Sequence, residues 1–327
     1  MITSHLRRRF LLTIGGSILF ANFGRRFVSA RTLPAGDSEN GWSIGGSNFH
    51  AIYDNEQLSN SFLNFLKNVY SILPADRFHA LIAEITKTTA HDKDIYLASQ
   101  GRLPEIKPIA SEVRNALPAL FHQTEIVGNQ LRQLLEGRET IDGYMEIGSK
   151  GGYIAYARPK LTLKGDVVLL NTDAASYGIR DMFERRGLLK VGRFVSLNSY
   201  APINDAEVET GSLDVVCNPI GFHHSPPEYR DEFVRSIRRC LRSGGELIVR
   251  DHDVDSPEMN HLVALAHDVF NMGIDHTWDY NKNEIRNFTS LQALCDYLTR
   301  FGFRSTGKII YQDGDPTRNA LMSFIAV

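Results

Sequence analysis

The chain has 327 residues, which is enough to bury a large core in one large domain or two smaller ones. Its composition of 43% hydrophobic and 23% charged residues is that of an ordinary soluble protein. The formal net charge of −2 argues against nucleic acid as a partner, and no apolar run reaches the roughly 18 residues expected of a membrane-spanning helix.

The N-terminal 30 residues have the pattern of an export signal. Residues 1–30 hold five arginines and no acidic residue, with a cationic start, a moderately apolar middle and small residues before Ala30. The run Arg7–Leu11, which reads Arg-Arg-Arg-Phe-Leu, resembles the bacterial twin-arginine signal. We therefore expect a periplasmic or secreted protein, or a membrane-anchored one if the signal is retained. A basic amphipathic or disordered tail is the alternative.

A linker and a helical region follow the signal. Residues 31–49 are rich in Gly, Ser, Asn and Pro and are predicted to be a linker. Residues 50–138 repeat apolar side chains at three- and four-residue spacing, which predicts a helical cap. Within it, 101–108 carries two prolines and is predicted to be an irregular connection. The cap either simply packs on the next domain or acts as a lid that shapes a substrate pocket.

The pattern of apolar residues changes at residue 139. Short apolar runs alternate with helical stretches as far as residue 327, which predicts parallel βαβ units. The predicted strands are 143–147, 166–171, 193–197, 213–218, 245–250, 307–312 and 319–326. The predicted helices between them are 151–158, 176–187, 228–242, 256–271 and 289–301. Only a turn sequence separates the last two strands, so we expect them to pair in antiparallel fashion.

Polar and glycine-rich positions follow the predicted strands at their carboxyl ends, the edge at which open α/β sheets bind ligands. The first strand runs into a glycine-rich turn that begins at Glu146 and lets a backbone approach a ligand closely. Asp173 follows the second strand and Asn198 the third. The fourth strand ends at Asn218, and a Gly-Gly turn at 244–245 precedes the fifth.

Three motifs follow one another in this part of the chain. They are Glu-x-Gly-x-x-Gly-Gly from Glu146, Leu-Asp-Val-Val from Leu213 with His-His downstream, and Leu-Arg-Ser-Gly-Gly-Glu-Leu-Ile-Val from Leu241. In this order they resemble the class I S-adenosylmethionine-dependent methyltransferases. The resemblance covers about residues 140–327 and is closest to the small-molecule branch that includes quinone-ring methyltransferases. It implies a Rossmann-like α/β fold whose seven-stranded, mostly parallel sheet has a terminal antiparallel strand. It also implies methyl transfer from S-adenosylmethionine to a small-molecule acceptor.

The resemblance also assigns residues to the cofactor. Gly148, Ser149 and Gly152 would form the loop under the methionine part of S-adenosylmethionine. Glu146 would orient that loop or the ammonium group of the cofactor. Asp173 would accept hydrogen bonds from the ribose hydroxyls, a task suited to a carboxylate.

The remaining assignments concern the two ends of the pocket. Asn198 would lie near the adenine, and Asn218 would close the pocket near the methyl group. His223 and His224 are candidates for a general base, which is needed only if the acceptor must lose a proton. A structural or pocket-lining role is the alternative for both histidines.

Lys150 is a departure from the family pattern, because it stands where a glycine is usual. Its side chain can crowd the loop, bring a cation close to the sulfonium, or reach the cofactor carboxylate from solvent. Together with export from the compartment expected to supply the cofactor, this substitution favours an alternative function. In that alternative the chain is a non-catalytic binding protein built on the methyltransferase fold. A nicotinamide-dependent dehydrogenase is disfavoured, because the turn lacks Gly-x-Gly-x-x-Gly.

The sequence predicts no metal site. Cys217, Cys240 and Cys295 have no metal-ligand spacing and are predicted to be small buried hydrophobes, with one disulfide open in an exported protein. The segment 250–253, Arg-Asp-His-Asp, offers further base candidates and can suggest a metal site with His261 and His267. Surface salt bridges and a loop are the preferred interpretation of that segment.

Overall fold

The computed structural model describes residues 46–107, 117–177, 181–182, 185, 187 and 190–327. The predicted export signal, nearly all of the predicted linker and much of the predicted helix 176–187 lie outside the described residues. Among the helices that are described, none combines the length and hydrophobicity needed to cross a membrane.

A seven-stranded sheet with the order β3-β2-β1-β4-β5-β7-β6 forms the centre of the fold. Its strands are β1 (Thr140–Ile147), β2 (Thr162–Asn171), β3 (Arg193–Ser196), β4 (Leu213–Asn218), β5 (Leu241–His252), β6 (Phe303–Tyr311) and β7 (Asn319–Ala326). Strands β1 to β5 pair in parallel, whereas β7 is antiparallel to both β5 and β6. The arrangement confirms the predicted fold class, including the antiparallel pair at the end of the chain.

Helices cover both faces of this sheet. The described helices are α1 (Asn48–Tyr53), α2 (Glu56–Phe65), α3 (Ala75–Thr86), α4 (Asp92–Ile106), α5 (Leu117–Leu134), α6 (Gly152–Ala157), α7 (Pro227–Cys240), α8 (Pro257–Gly273), α9 (Trp278–Asn283) and α10 (Leu291–Thr299). Successive side chains of β1 enter different cores, because strand side chains alternate between the two faces. Met145 packs with α7 and α10, while Tyr144 packs with α5 and α6. Because both faces of the sheet are buried, its strands are continuous apolar runs in the sequence.

The N-terminal helices α1 to α4 pack on α8 and form a core of their own. Aromatic side chains such as Phe62 and Phe78 meet Leu265 and Phe270 of α8 in this core. Polar contacts join the same layers, since Tyr96 donates to the His276 carbonyl oxygen at 2.9 Å. Helix α5 differs from α1 to α4, because its apolar side chains pack against the sheet with α6.

The prediction of an irregular connection at 101–108 was wrong. Helix α4 continues to Ile106 with Pro104 inside it. Proline cannot donate a hydrogen bond to the carbonyl of Gln100, but a loss in the last turn affects only that turn. The helix ends at Ile106, two residues after Pro104. The chain therefore leaves the helix near the end of 101–108 and not at its start.

Gly143 lies at a β-bulge, where the pairing register shifts between Asp142 and Tyr144. Its φ is +86°, and a Cβ there would overlap the backbone oxygen of Ser212. We expect Gly143→Ala to lower the free energy of unfolding by about 2–4 kcal/mol. Alanine is strained at a positive φ, and its Cβ would overlap the neighbouring backbone. Urea denaturation measures the change.

The matched control is Gly101→Ala in α4, where a Cβ would meet open space. This substitution is expected to raise the free energy of unfolding by up to about 1 kcal/mol, because alanine loses less backbone entropy in a helix. Equal effects of the two alanines would contradict the account of the bulge.

Candidate functional site

The predicted site residues lie along one edge of the sheet. Strand β1 pairs with β2 on one side and with β4 on the other, and all three run parallel. Their carboxyl ends therefore meet at the same edge, and the order reverses at β1 and β4. Such a switch point opens a crevice in α/β sheets. Two cavities lie at this edge, one beside β2 and β3 and the other beside β4, β5 and β7.

The glycine-rich turn after β1 is held in place by its own atoms and by Ile220. Gly148 and Gly151 have φ values of +73° and +89°, a region that favours glycine. A Cβ on Gly148 would overlap the Ile220 side chain, so only glycine permits this approach. Ser149 Oγ accepts hydrogen bonds from the N–H groups of Gly151 at 3.1 Å and Gly152 at 3.3 Å. The loop is therefore set before any ligand binds.

Glu146 connects β1 to the first turn of α6. Its side chain is fully buried, and Oε2 accepts hydrogen bonds from the Tyr144 hydroxyl at 2.9 Å and the Ile154 N–H at 3.0 Å. Burial raises the pKa of Glu146, while hydrogen bonds from Ser149, Tyr144 and the Ile154 backbone oppose that rise. Of the two roles that the resemblance implied, this geometry favours orientation of the loop.

Lys150 forms an ion pair instead of adding an unbalanced cation to the loop. Its Nζ lies 2.9 Å from Asp181 Oδ1, and both side chains are largely buried. Burial by itself would raise the pKa of Asp181, but the Ser176 N–H and Lys150 hold it below its usual value. Lys150 is not among the described residues with positive φ, so its backbone does not require glycine.

The cavity beside β2 and β3 has a volume of about 210 Å³. Ser149 and Asp173 both line it, so the structure brings the glycine-rich turn and the predicted ribose-binding carboxylate to one cleft. Asp173 is exposed there. Asn198 is exposed at the start of a short 3-10 turn after β3, and it is not among the residues that line this cleft.

The second cavity, which we call the acceptor cavity, is narrow, with a volume of about 20 Å³. It is lined by Phe65, Val69, Pro219, Ile220, His223, Arg250, His252, Ala266, His267, Asp315, Thr317 and Asn319. Asn218 is fully buried just before Pro219, and its Oδ1 has no hydrogen-bond partner among the described residues. Phe65 and Val69 come from the helical cap, so the cap contributes part of the wall.

His223 is the histidine of the predicted pair that lines this cavity, whereas His224 does not line it. His223 Nδ1 lies 2.6 Å from Asp251 Oδ1. Although burial would raise the pKa of Asp251, the neighbouring His223 and His252 hold it below its usual value. Burial lowers the pKa of His224 well below the ordinary value and that of His252 to about 3. His224 and His252 are therefore neutral at physiological pH.

The structure corrects the interpretation of 250–253 as a surface loop. Its four side chains have relative exposures of 5–8%, and β5 continues to His252 beside β7. Because β7 is antiparallel, it begins at the edge where the parallel strands end. Thr317 and Asn319 therefore join the site, although the sequence suggested only a turn at Thr317 and the start of a strand at Asn319. His261 lies elsewhere, with Nδ1 3.0 Å from the Asn48 amide oxygen.

All three cysteines are free thiols, with Cys217 and Cys240 buried and Cys295 half-buried. Burial raises the pKa of Cys217 well above its ordinary value, which makes the thiol a poor nucleophile. None of the three lines either cavity.

Residues 147–249 match the protein family described as "Methyltransferase domain". The matched segment begins at Ile147, the last residue of β1, and ends within β5, so it contains the glycine-rich turn and β4. The match agrees, over these residues, with the resemblance that the three motifs indicated, and the domain bounds 139–327 stay a prediction. A search of curated proteins gave no match to the chain.

Several solved structures are similar to this chain. The CurJ carbon methyltransferase has a TM-score of 0.47 and 13% identity, with 83% of this chain and 70% of that chain covered. The trans-methyltransferase CalH in complex with SAH has a TM-score of 0.47 and 16% identity, with coverages of 77% and 73%. The 1,6-didemethyltoxoflavin-N1-methyltransferase from Burkholderia thailandensis has a TM-score of 0.41 and 12% identity, with coverages of 62% and 78%.

Two substitutions separate the charge of Glu146 from its hydrogen bonds. Glu146→Ala leaves the buried Tyr144 hydroxyl and Ile154 N–H without an acceptor, so we expect the free energy of unfolding to fall by about 2–4 kcal/mol. Glu146→Gln keeps an accepting oxygen and should remain close to the natural chain below about pH 4.3, where the carboxyl of the folded chain is protonated. Urea denaturation measures both.

The pH dependence of the natural chain gives a second readout. Because the folded-state pKa of Glu146 is raised, its ionisation disfavours the folded state above about pH 4.3. The stability advantage of Glu146→Gln over the natural chain should grow as pH rises above that value and level off beyond the raised pKa. A constant difference across the range would contradict this account.

Proposed function

We propose that the protein transfers a methyl group from S-adenosylmethionine to a small-molecule acceptor. One observation carries the proposal. The segment that matches methyltransferase domains contains a glycine-rich turn whose Ser149 shares a cleft with the exposed carboxylate of Asp173. The acceptor cavity lies at the same sheet edge, on the side of β4 and β5.

The residues of the first cleft fit the cofactor. Asp173 would accept two hydrogen bonds from the ribose hydroxyls. Gly148, Ser149 and Gly152 would lie under the methionine part, where the tight turn brings the backbone close to it. Asn198 lies outside the lining of this cleft, and its place near the adenine stays a prediction. When bound, the cofactor supplies a methyl group that is already activated on a sulfonium.

The chain's own contribution to transfer is mainly positioning, because in-line displacement requires the nucleophile and the methyl group to be held close together. The Gly148–Ile220 contact joins the cofactor loop to the acceptor cavity. If the acceptor must lose a proton, His223 is the candidate to receive it, since it lines the cavity and Asp251 holds its Nδ1. Phe65 and Val69 of the cap shield the same cavity from solvent.

Calorimetry with S-adenosylmethionine and S-adenosylhomocysteine tests the cofactor assignment. We expect one ligand molecule to bind per chain. Asp173→Ala should weaken binding by about 10- to 100-fold, because the variant loses a hydrogen bond to a charged group. Asp296→Ala is the control, because Asp296 is an exposed carboxylate on α10. No heat with either ligand, or equal losses in both variants, would contradict the assignment.

The alternative function is a non-catalytic binding protein on this fold, and Lys150 is the observation that favours it. The ion pair with Asp181 speaks against this alternative, since it balances the lysine charge. If the natural chain failed to bind S-adenosylmethionine and Lys150→Gly restored binding, the alternative would be favoured.

We further propose that residues 1–30 direct export by a twin-arginine-like route, on the strength of the Arg7–Leu11 pattern. That route carries folded proteins, so the chain can leave the cytoplasm with its ligand bound. Contact with a membrane would then be limited to a retained signal.

Cell fractionation tests the export route. The double substitution Arg7→Lys with Arg8→Lys keeps the charge but removes the arginine pair, so the protein should stay in the cytoplasm. Arg25→Lys with Arg26→Lys is the control, because both positions lie outside the pair, and it should leave export unchanged. An unaltered distribution of the first variant would refute the twin-arginine assignment.

A further inference from the structure

Three histidines that the sequence did not group together meet beside the acceptor cavity. His223 and His224 follow β4, and His267 lies on α8. Each offers a ring nitrogen, and these nitrogens lie within 4.8 Å of one another. The three side chains have relative exposures of 2–5%. Burying three imidazoles together is costly unless their polar atoms have partners, so the cluster calls for a physical explanation.

Two carboxylates face Nδ1 atoms of these rings. His223 Nδ1 lies 2.6 Å from Asp251 Oδ1, a hydrogen-bond distance, whereas His267 Nδ1 lies 3.5 Å from Glu284 Oε2, a contact at ion-pair distance without hydrogen-bond geometry. In metalloproteins the second ring nitrogen of a ligand histidine is held in this way by a carboxylate or a carbonyl, which fixes the ring and the tautomer. The pattern assigns the metal-facing role to Nε2.

A backbone carbonyl does the same for the third ring, since His224 Nδ1 lies 3.1 Å from the Ile285 oxygen. The neighbouring His252 is different. Its Nδ1 lies 3.0 Å from the Thr317 oxygen, and its Nε2 lies 3.3 Å from the Asn319 amide nitrogen. Both nitrogens of His252 are engaged by the protein, and His252 is not one of the three grouped residues.

We infer that His223, His224 and His267 form a binding site for one divalent first-row transition metal ion. Imidazole nitrogen suits ions such as Zn²⁺ and Co²⁺, whereas Mg²⁺ and Ca²⁺ require oxygen ligands. A tetrahedral ion with Zn–N bonds of about 2.0–2.1 Å places its nitrogen ligands roughly 3.3 Å apart. Ring rotations that bring the nitrogens together from their present separations complete the site.

The open position of this site would face the acceptor cavity. Three protein ligands leave room for a fourth, as in catalytic zinc sites, and both His223 and His267 line the cavity. On the proposed function, an acceptor oxygen would take the fourth position. An ion lowers the pKa of a bound hydroxyl, so His223 would act as a ligand and the proton of the hydroxyl would pass to water instead of to His223.

Arg250 is buried in the same cavity. The charges of Asp315, which also lines the cavity, and of Asp251 act on its guanidinium. Its Nη2 donates to Gln312 Oε1 at 2.9 Å. A metal-bound oxyanion next to this arginine would be stabilised by two positive charges.

The test uses the purified chain without a polyhistidine tag, stripped of metal by a chelator. Co²⁺ is titrated alone and followed by visible absorption and calorimetry. We expect one Co²⁺ per chain, displacement by Zn²⁺ and no binding of Mg²⁺. No stoichiometric binding of Co²⁺ or Zn²⁺ by the natural chain would overturn the inference.

Variants locate the ion. His224→Gln and His267→Gln each remove a ligand and should weaken Co²⁺ binding by more than about 100-fold, while Asp251→Asn should weaken it by about 10- to 100-fold. His261→Gln is the control on the same helix as His267 and should bind Co²⁺ like the natural chain. Folded ligand variants that bind Co²⁺ as well as the natural chain would overturn the site.

Two further measurements keep the outcome decisive. If the ligand variants do not fold, X-ray absorption of the Zn²⁺-loaded natural chain must show about three imidazole nitrogens at roughly 2.0–2.1 Å, and any other ligand set overturns the inference. Binding of S-adenosylhomocysteine is measured in the same preparations. Cofactor binding without metal binding overturns the metal site alone, and metal binding without cofactor binding contradicts the proposed function alone.

Discussion

The close approach of Gly148 to Ile220 is the contact on which the geometry of the sheet edge depends. It brings the loop after β1 against the segment after β4, and a side chain at position 148 would force them apart. One cavity lies on the β2 side of this contact and the other on the β5 side. A transfer reaction needs its two reactants close to each other. The contact between Gly148 and Ile220 lies between the two cavities that could hold them.

The edge beyond β4 concentrates buried polar groups, which are expensive to remove from water. The structure offsets that cost with specific partners, such as Asp251 for His223 and Thr317 for His252. Two features of the fold assemble them. The antiparallel β7 begins at the edge where β5 ends, and the helical cap packs on α8 and covers the cavity with Phe65. Buried ionisable groups of this kind cluster at functional sites.

Much of the fold was predictable because its signals are local. Apolar runs between turn sequences located the seven strands, and the short connection before β7 required an antiparallel pair. The errors have equally physical causes. Pro104 suggested a break, but proline is tolerated in the last turn of α4. The segment 250–253 looked like a surface loop because its residues are charged, whereas the pairing of β5 with β7 buries them.

The amino-acid sequence by itself determined the α/β class, the glycine-rich turn and the positions of Asp173 and Asn218, because strand periodicity and turn chemistry depend on neighbouring residues. Only the tertiary structure decided which distant side chains meet. The ion pair of Lys150 with Asp181 and the meeting of His267 with His223 follow from the packing of whole elements. Such contacts join residues far apart in the chain, so no local pattern of residues encodes them.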